Sequence, residues 1–358
     1  MFDSSYESRN FPHIRPDWLA LVDEAVVEPD LPVVDPHHHL WDVAAAYYRA
    51  PQLAADITAG HRVLATVFVE CKAHFDTDGD PDLASVGETR FAAQQAKKAV
   101  ALTGNAGLVK GVIAYGDPLV KRPEAVLMAH LDAAQGRMRG VRVRAAWHEH
   151  AAFAAPADGP TQQTLSSREL DRYCSVLSGM GLVLDFWVYH TQLDEAAALA
   201  RRHPRLTIVL NHCGGPLGIG PYEGRQAEVR KAWSASLARV AAQDNVRIKI
   251  GGLAMPRTGM SFSADDKPAS SIDMVSRWSP YVRTCIDLFG AERSMFESNF
   301  PVDKGSCNYV ALWNAFKLLS AGYPESQRRA LLGRTASNVY ALNAFDTPFD
   351  TQRPGQRA

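Results

Sequence analysis

The chain lacks paired cysteines, long apolar runs and net charge. Its five cysteines, Cys71, Cys174, Cys213, Cys285 and Cys307, are odd in number, widely scattered and never form a Cys-x-x-Cys pair. That pattern argues against a disulfide framework or a structural zinc knot, and for a reducing cytoplasm. No uninterrupted apolar stretch is long enough to span a bilayer. Residues 1–18 are polar, without the apolar core of a signal peptide. Lys+Arg number 38 against 39 Asp+Glu, a formal net charge of −1. No basic stripe suggests nucleic acid, and no polybasic run suggests an anionic membrane surface. A Gly-rich dinucleotide turn after an early strand is missing too, which removes the main sign of a doubly wound nucleotide-binding sheet. What remains is 358 residues with 46% hydrophobic content. That is room for one large α/β barrel with decorations or for two ordinary domains, and for a small-molecule partner. A homo-oligomer stays an open expectation.

Short β-branched runs alternate with amphipathic helical stretches. Strands are expected at residues 32–35, 64–70, 108–115, 140–144, 182–188, 206–210, 246–250 and 294–297. Helices are expected at 85–102, 123–134, 168–180, 193–202, 223–242, 272–289 and 310–319. Near-continuous apolar strands between helices indicate a parallel sheet covered on its outer face. Eight such strands predict a (β/α)8 TIM barrel over residues 31–345. Residues 1–30 read as an N-terminal extension. Residues 346–358, which contain Pro, Gly and Gln, read as a C-terminal tail that frays.

Barrel enzymes carry their chemistry at the C-terminal ends of the strands. Polar side chains gather at those positions here. Strand one ends in His37 and His39, strand two in Glu70, and Asp117 follows strand three. Strand four carries Arg142 and Arg144, with Trp147 and His148 beyond it. Tyr189 and His190 end strand five, Asn211 and His212 end strand six, and Lys249 lies in strand seven. Strand eight supplies Glu297 and Asn299, and Asp303 follows. Ionisable groups are rarely buried unless paired or functional. Glu70, Arg142 and Lys249 read equally well as a structural ion-pair ring in the barrel mouth.

The segment Asp35-Pro36-His37-His38-His39 carries the sharpest signal. Alternate residues of a strand share a face, so Asp35, His37 and His39 are expected to converge on one spot. Histidine is the commonest metal ligand and titrates near neutral pH. The competing reading is a solvated turn.

Taken together, these motifs resemble the amidohydrolase superfamily. The carriers are Asp35-x-His37-x-His39-x-Trp41, His190 after strand five, Asn211-His212-x-Gly214 after strand six, Lys249-x-Gly251-Gly252-Leu253, and Phe296-x-Ser298-x-Phe300-Pro301. Within it the chain looks like the branch containing sugar-acid lactonases and 2-pyrone-4,6-dicarboxylate lactonase. The resemblance covers residues 31–345 and implies a hydrolase opening a small carboxylated or sugar-derived lactone or ester. One departure is clear. The superfamily usually carries an aspartate on strand eight that ligates metal or accepts a proton, and Asn299 stands there. A neutral amide does neither job well.

The expected mechanism follows. Arg142 or Arg144 anchors a carboxylate, since guanidinium fork geometry suits it. His37, His39 and His190 polarise the scissile carbonyl. Asp303, or in second place Glu297, activates water, and His212 orients substrate or shuttles the proton. Tyr189, Lys249 and Asn299 contact substrate. Trp147, Trp187 and Tyr189 shape the pocket, and residues 253–271 are a candidate lid. For metal, two routes stay open: one divalent ion, zinc, on His37, His39 and His190, or a metal-independent reaction. Amide hydrolysis, lactone isomerisation, decarboxylation and a weakened, ligand-binding barrel are the alternatives.

Overall fold

Strand pairing is sequential throughout the sheet. In the computed structural model, which describes residues 13–42, 47–154 and 159–346, the strands are β1 (Val33–His38), β2 (Val63–Val69), β3 (Gly111–Tyr115), β4 (Met138–Arg144), β5 (Val183–Trp187), β6 (Ile208–Leu210), β7 (Val246–Ile250) and β8 (Ser294–Phe296). Their order is β1 to β8, each parallel to the next. A helix follows each strand: α1 (Ala50–Ile57), α2 (Val86–Thr103), α3 (Pro123–Ala133), α4 (Arg168–Gly179), α5 (Leu193–Arg202), α6 (Gln226–Ala241), α7 (Ser271–Phe289) and α8 (Tyr309–Ser320). This is the (β/α)8 barrel.

The apolar strands divide their side chains between two cores. Val34, Ala65, Val67, Ile113, Val209 and Met295 fill the barrel interior, with Tyr340 and Leu342 packed against the same cluster. The alternate side chains pack outward against the helices in a larger cluster that includes Leu127, Leu177, Leu199, Trp233 and Trp313. Alternation between two apolar environments explains why the strands read as unbroken hydrophobic runs. Helix starts follow local chemistry. The Ser270 hydroxyl accepts from Asp273 N at 3.2 Å, and Ser270 N donates to Asp273 Oδ2 at 3.0 Å, a capping box at the head of α7. Asn308 Oδ1 caps α8 by accepting from Ala311 N at 2.8 Å.

The β1–β8 seam closes beyond the end of β8. Asn299 N donates to His37 O at 2.9 Å, and His39 N donates to Phe300 O at 2.7 Å. The seam therefore sets His37, His39 and Asn299 side by side. Two regions differ from expectation: α1 forms where the pattern predicts no helix, and residues 325–339 form three successive helical turns, Glu325–Arg329, Ala330–Arg334 and Thr335–Val339.

Part of the expected N-terminal extension is fastened to the barrel. Glu24 accepts from Ser271 N at 2.7 Å and from Asn314 Nδ2 at 3.0 Å. Lys317 Nζ donates to Val27 O at 3.0 Å and Glu28 O at 2.7 Å. Residues 1–12, and residues 347–358 of the expected tail, lie outside the described residues. Among the described residues no helix is long and apolar enough to cross a membrane.

Candidate active site

A cavity of about 710 Å³ opens among the strand C-termini and their loops, lined in part by His39, Arg142, Arg144, Trp187, Tyr189, His212 and Asn299. Beneath it lies a cluster of fully buried ionisable groups. Glu297, one residue past β8, reaches two imidazoles. Its Oε1 lies 2.8 Å from His212 Nδ1 and also accepts from His212 N at 3.2 Å. Its Oε2 lies 2.7 Å from His37 Nδ1 without an aligned hydrogen-bond partner. The two rings are 4.6 Å apart.

His212 owes its place to a tight backbone. Its own φ is +52°, Cys213 follows at +53°, and Gly214 and Gly215 continue at +69° and +63°. Opposite, Gly252 lets the β7 loop come so close that a Cβ there would stand 2.5 Å from His212 Nδ1. The side chain faces the cavity while its Nδ1 stays on Glu297, the arrangement that orients a histidine base.

The cations are organised around Glu70. Arg142 Nε donates to Glu70 Oε1 at 2.6 Å and Arg144 Nε to the same oxygen at 2.7 Å. Arg142 Nη1 also lies 3.2 Å from His37 Nε2. Burial works against the Glu70 charge, but the two guanidiniums outweigh it and hold the carboxyl at about 2. One carboxylate oxygen thus receives both guanidiniums, which stand together on the cavity wall.

Burial dominates the remaining titrations. It drives His37, His39 and His212 well below the usual histidine range, and nearby cations add to the effect. It pushes Glu297 up to about 8 and Asp303 up to about 8. His39 Nδ1 is 2.8 Å from Val69 O, which fixes a proton on Nδ1 and turns Nε2 outward as an acceptor. Its ring stacks on Trp41 at 5.3 Å.

Several expected roles change. All three histidines of residues 37–39 are buried, so the segment is not a solvated turn. Asp35 does not join the cluster: it accepts from Ser298 N at 3.0 Å and Tyr309 Oη at 3.1 Å, tying β1 to β8 and α8. A register irregularity between Asp35 and His38 breaks the alternation on which convergence depended. His190 stands apart, near Leu217 N at 3.4 Å and the Tyr222 ring at 5.1 Å. Lys249 is buried beneath the site, donating to Asp185 Oδ2 at 2.6 Å and lying 3.5 Å from His37 Nδ1.

Asp303 has both oxygens engaged, by Asn299 Nδ2 at 2.9 Å and Ala254 N at 3.3 Å, and does not line the cavity. It holds the Asn299 amide so that the Asn299 carbonyl oxygen is left for the cavity. Trp147 is likewise off the cavity wall, whereas Trp187 and Tyr189 are on it. Residues 253–271 are tethered as well. Gly218 N donates to Arg257 O at 2.9 Å, Phe262 N to Ser306 Oγ at 3.1 Å, and Arg15 to Ser263 O at 2.7 Å. A segment pinned from three sides is a wall, not a lid. Sequence reasoning missed two cavity-lining cations, Lys72 and Arg257. Lys72 lies two positions beyond Glu70, a spacing that would have flagged it; Arg257 sits in a loop without a pattern.

Among the described residues, the donor atoms that converge as metal ligands do are those of His37, His212 and Glu297, within 4.8 Å of one another. His39 and His190, expected beside His37, are outside that trio. Two imidazole nitrogens and a carboxylate oxygen suit a divalent ion with an open coordination position. The unaligned Glu297 Oε2 is compatible with such a ligand, while Arg142 and Lys249 already bring positive charge to the His37 ring.

The chain has relatives among known proteins. An uncharacterized protein of Sinorhizobium fredii is 30% identical over 331 residues, 87% of this chain and 99% of that one. An L-fucono-1,5-lactonase of Burkholderia multivorans is 24% identical over 316 residues, 86% of this chain and 96% of that one. A solved amidohydrolase of Burkholderia multivorans with bound zinc shares the fold, with a TM-score of 0.64 at 20% identity over 86% of this chain and 99% of that one. The model of the amidohydrolase family matches residues 34–342, nearly the whole barrel, and the chain belongs to that family.

Proposed function

We propose that this barrel hydrolyses a small lactone or ester bearing a carboxylate or sugar-acid group. The observation that carries the reading is the Glu70–Arg142–Arg144 arrangement beside His39 and His212. Two guanidiniums, whose fork geometry suits a carboxylate, border imidazoles able to serve carbonyl chemistry.

The residues divide the work. Arg144 and Arg142 take the substrate's carboxylate and draw it to the wall. His39 Nε2 and the Asn299 carbonyl accept from the attacking water or a substrate hydroxyl. His212, held through Nδ1 by Glu297, removes the proton from water as it adds to the carbonyl. The Arg142 guanidinium lies close enough to His37 to meet the negative charge that develops on oxygen. The proton then passes from the His212–Glu297 pair to the leaving alkoxide as the ring opens. Asp303 acts through Asn299 by fixing its amide. A divalent ion on His37, His212 and Glu297 would supply further positive charge for polarising the carbonyl.

A panel of lactones and amides, assayed by pH-indicator acidification and then by mass spectrometry in heavy-oxygen water, tests the reading. Acid release from a carboxylated lactone with one heavy oxygen incorporated is expected. Turnover with unchanged product mass would identify an isomerase, and release of an amine from amides alone would reassign the bond cleaved.

A further inference from the structure

The cavity is larger than a sugar lactone. A six-carbon lactone has about a dozen heavy atoms; even at about 30 Å³ apiece, the share of one water molecule in the liquid, they fill only about half of the 710 Å³. Part of the wall is an aromatic path that begins at His212. Trp187, the last residue of β5, meets the His212 ring edge-on at 4.8 Å. Tyr189 lies 5.8 Å from Trp187, and Phe153 lies 5.7 Å from Tyr189. All three rings line the cavity, as does Leu119 of the β3–α3 connection, which is 74% exposed.

The far end of this path is held in place. Phe153 closes a short helical turn in the β4–α4 connection, its N donating to His150 O at 2.9 Å, and His150 Nδ1 accepts from Ala152 N at 3.2 Å. His148 Nδ1 accepts from His150 N at 2.9 Å, which leaves the His148 proton on Nε2, 2.8 Å from Tyr222 Oη. The Phe153 ring packs 5.0 Å from the His148 ring and 6.1 Å from the Tyr222 ring. Leu119 is fixed through its backbone: its N donates to Asp117 Oδ1 at 2.8 Å, and the next carbonyl, Val120 O, accepts from Arg172 Nη2 at 2.6 Å. Tyr189 Oη is held by Arg257 Nη1 at 2.5 Å. The side chains of Phe153 and Leu119 offer a ligand ring and alkyl surface alone. A single exposed leucine needs no explanation, but this one shares a cavity with Phe153, and apolar lining is what binds the uncharged part of a small ligand.

We propose that Phe153, Leu119 and the ring of Tyr189 form a subsite for an apolar arm, alkyl or aryl, which the substrate carries beyond its scissile carbonyl. Trp187 stands between that arm and His212. The assignment of the carbonyl end rests on the reading of the site as a lactone hydrolase. The preferred substrate then has three parts: a carbonyl at His212, an anionic group at Arg142 and Arg144, and a hydrocarbon arm directed to the β3–α3 and β4–α4 connections.

Calorimetric binding of valerate, ω-phenylvalerate and D-gluconate tests this without turnover. The first two probes differ by one phenyl ring, and gluconate presents a hydroxylated arm instead. The wild type should bind phenylvalerate roughly 10–100-fold more tightly than valerate, the effect of burying a phenylalanine-sized ring. Leu119 is exposed enough that the fold does not depend on it, and Leu119→Ser should lower that preference by roughly 3–10-fold. Phe153→Ala should remove most of the preference while valerate affinity is kept, and Phe153→Leu should retain most of it. Equal wild-type affinity for valerate and phenylvalerate, tighter binding of gluconate than of phenylvalerate, failure to bind any of the three, or a full preference in both Leu119→Ser and Phe153→Ala would overturn the subsite. Absence of lactone opening together with an intact phenyl preference would instead refute the hydrolytic reading and leave the subsite standing.

Discussion

Gly252→Ala separates the geometry of His212 from the stability of the barrel. Gly252 has φ +63°, and an L-residue pays about 1–2 kcal/mol in that region. For a chain of this length the loss lowers the melting temperature by about 1–3 °C. The second effect is local. The new Cβ would stand 2.5 Å from His212 Nδ1, where ordinary contact begins at 3.4 Å. The ring must therefore retreat by about 1 Å. The 2.8 Å contact with Glu297 then passes beyond hydrogen-bond reach. Misplacement of a reacting group by about 1 Å costs roughly 10²-fold in rate, so kcat should fall by about that factor. Gly104→Ala is the control: its φ is +71°, it ends α2, and no atom lies within 4 Å of its added Cβ. It should lose similar stability and no activity. Scanning calorimetry and steady-state kinetics on both variants decide the matter. Wild-type kcat in Gly252→Ala, or an equal loss in both variants, would refute the argument that His212 is held at this distance for catalysis.

Two further expectations follow from buried charges. Among the described residues, Lys249→Met leaves Asp185 with Tyr340 and Asn211 as donors; loss of one partner of a buried pair should cost about 3–5 kcal/mol in urea unfolding. Lys249→Met/Asp185→Leu should recover part of it, whereas a raised KM at unchanged stability would return Lys249 to substrate binding. Glu297→Gln should cut kcat by roughly 10²–10⁴, and Asp303→Asn by less, with part of its effect appearing as lost stability. The reverse order in single-turnover rates would make Asp303 the base.

The barrel was legible because its signal repeats. Each strand combines β-branched residues with a length suited to parallel pairing, and the boundaries of β7 and α5 coincide with the pattern. Helix α1 escaped because Ala50–Ile57 is short and carries Pro51 in its first turn, where a proline fits a helix start but also reads as a loop signal. At the site, strand-end position identified His37, His39, Arg142, Arg144, Glu297 and Asn299, since barrel topology brings strand ends together whatever the loops do. The direction in which each side chain faces was less accessible. Asp35 lies next to a β1 register irregularity that coincides with Pro36, whose missing N–H cannot join the ladder and breaks the simple alternation. Asp303 turns toward Asn299 because of the backbone path after Phe300, and His190 turns toward the β6 loop. Lys72 and Arg257 reach the cavity through loops whose shape depends on partners distant in sequence: Glu88, which accepts from Cys71 N and Ala73 N, for the first and Gly218 for the second.

The floor of the barrel has a consequence for biosynthesis. Tyr340, just past the last helical turn, packs among the interior residues and donates to Asp185 Oδ1 at 2.7 Å. Asp185 holds Lys249, and Lys249 stands against His37. A nascent chain that has completed all eight strands still has an open lower end, with a lysine–aspartate pair facing water instead of a phenol. Released chains truncated before and after residue 340 should therefore differ sharply in protease resistance, although the shorter chain already contains His37, His212 and Glu297.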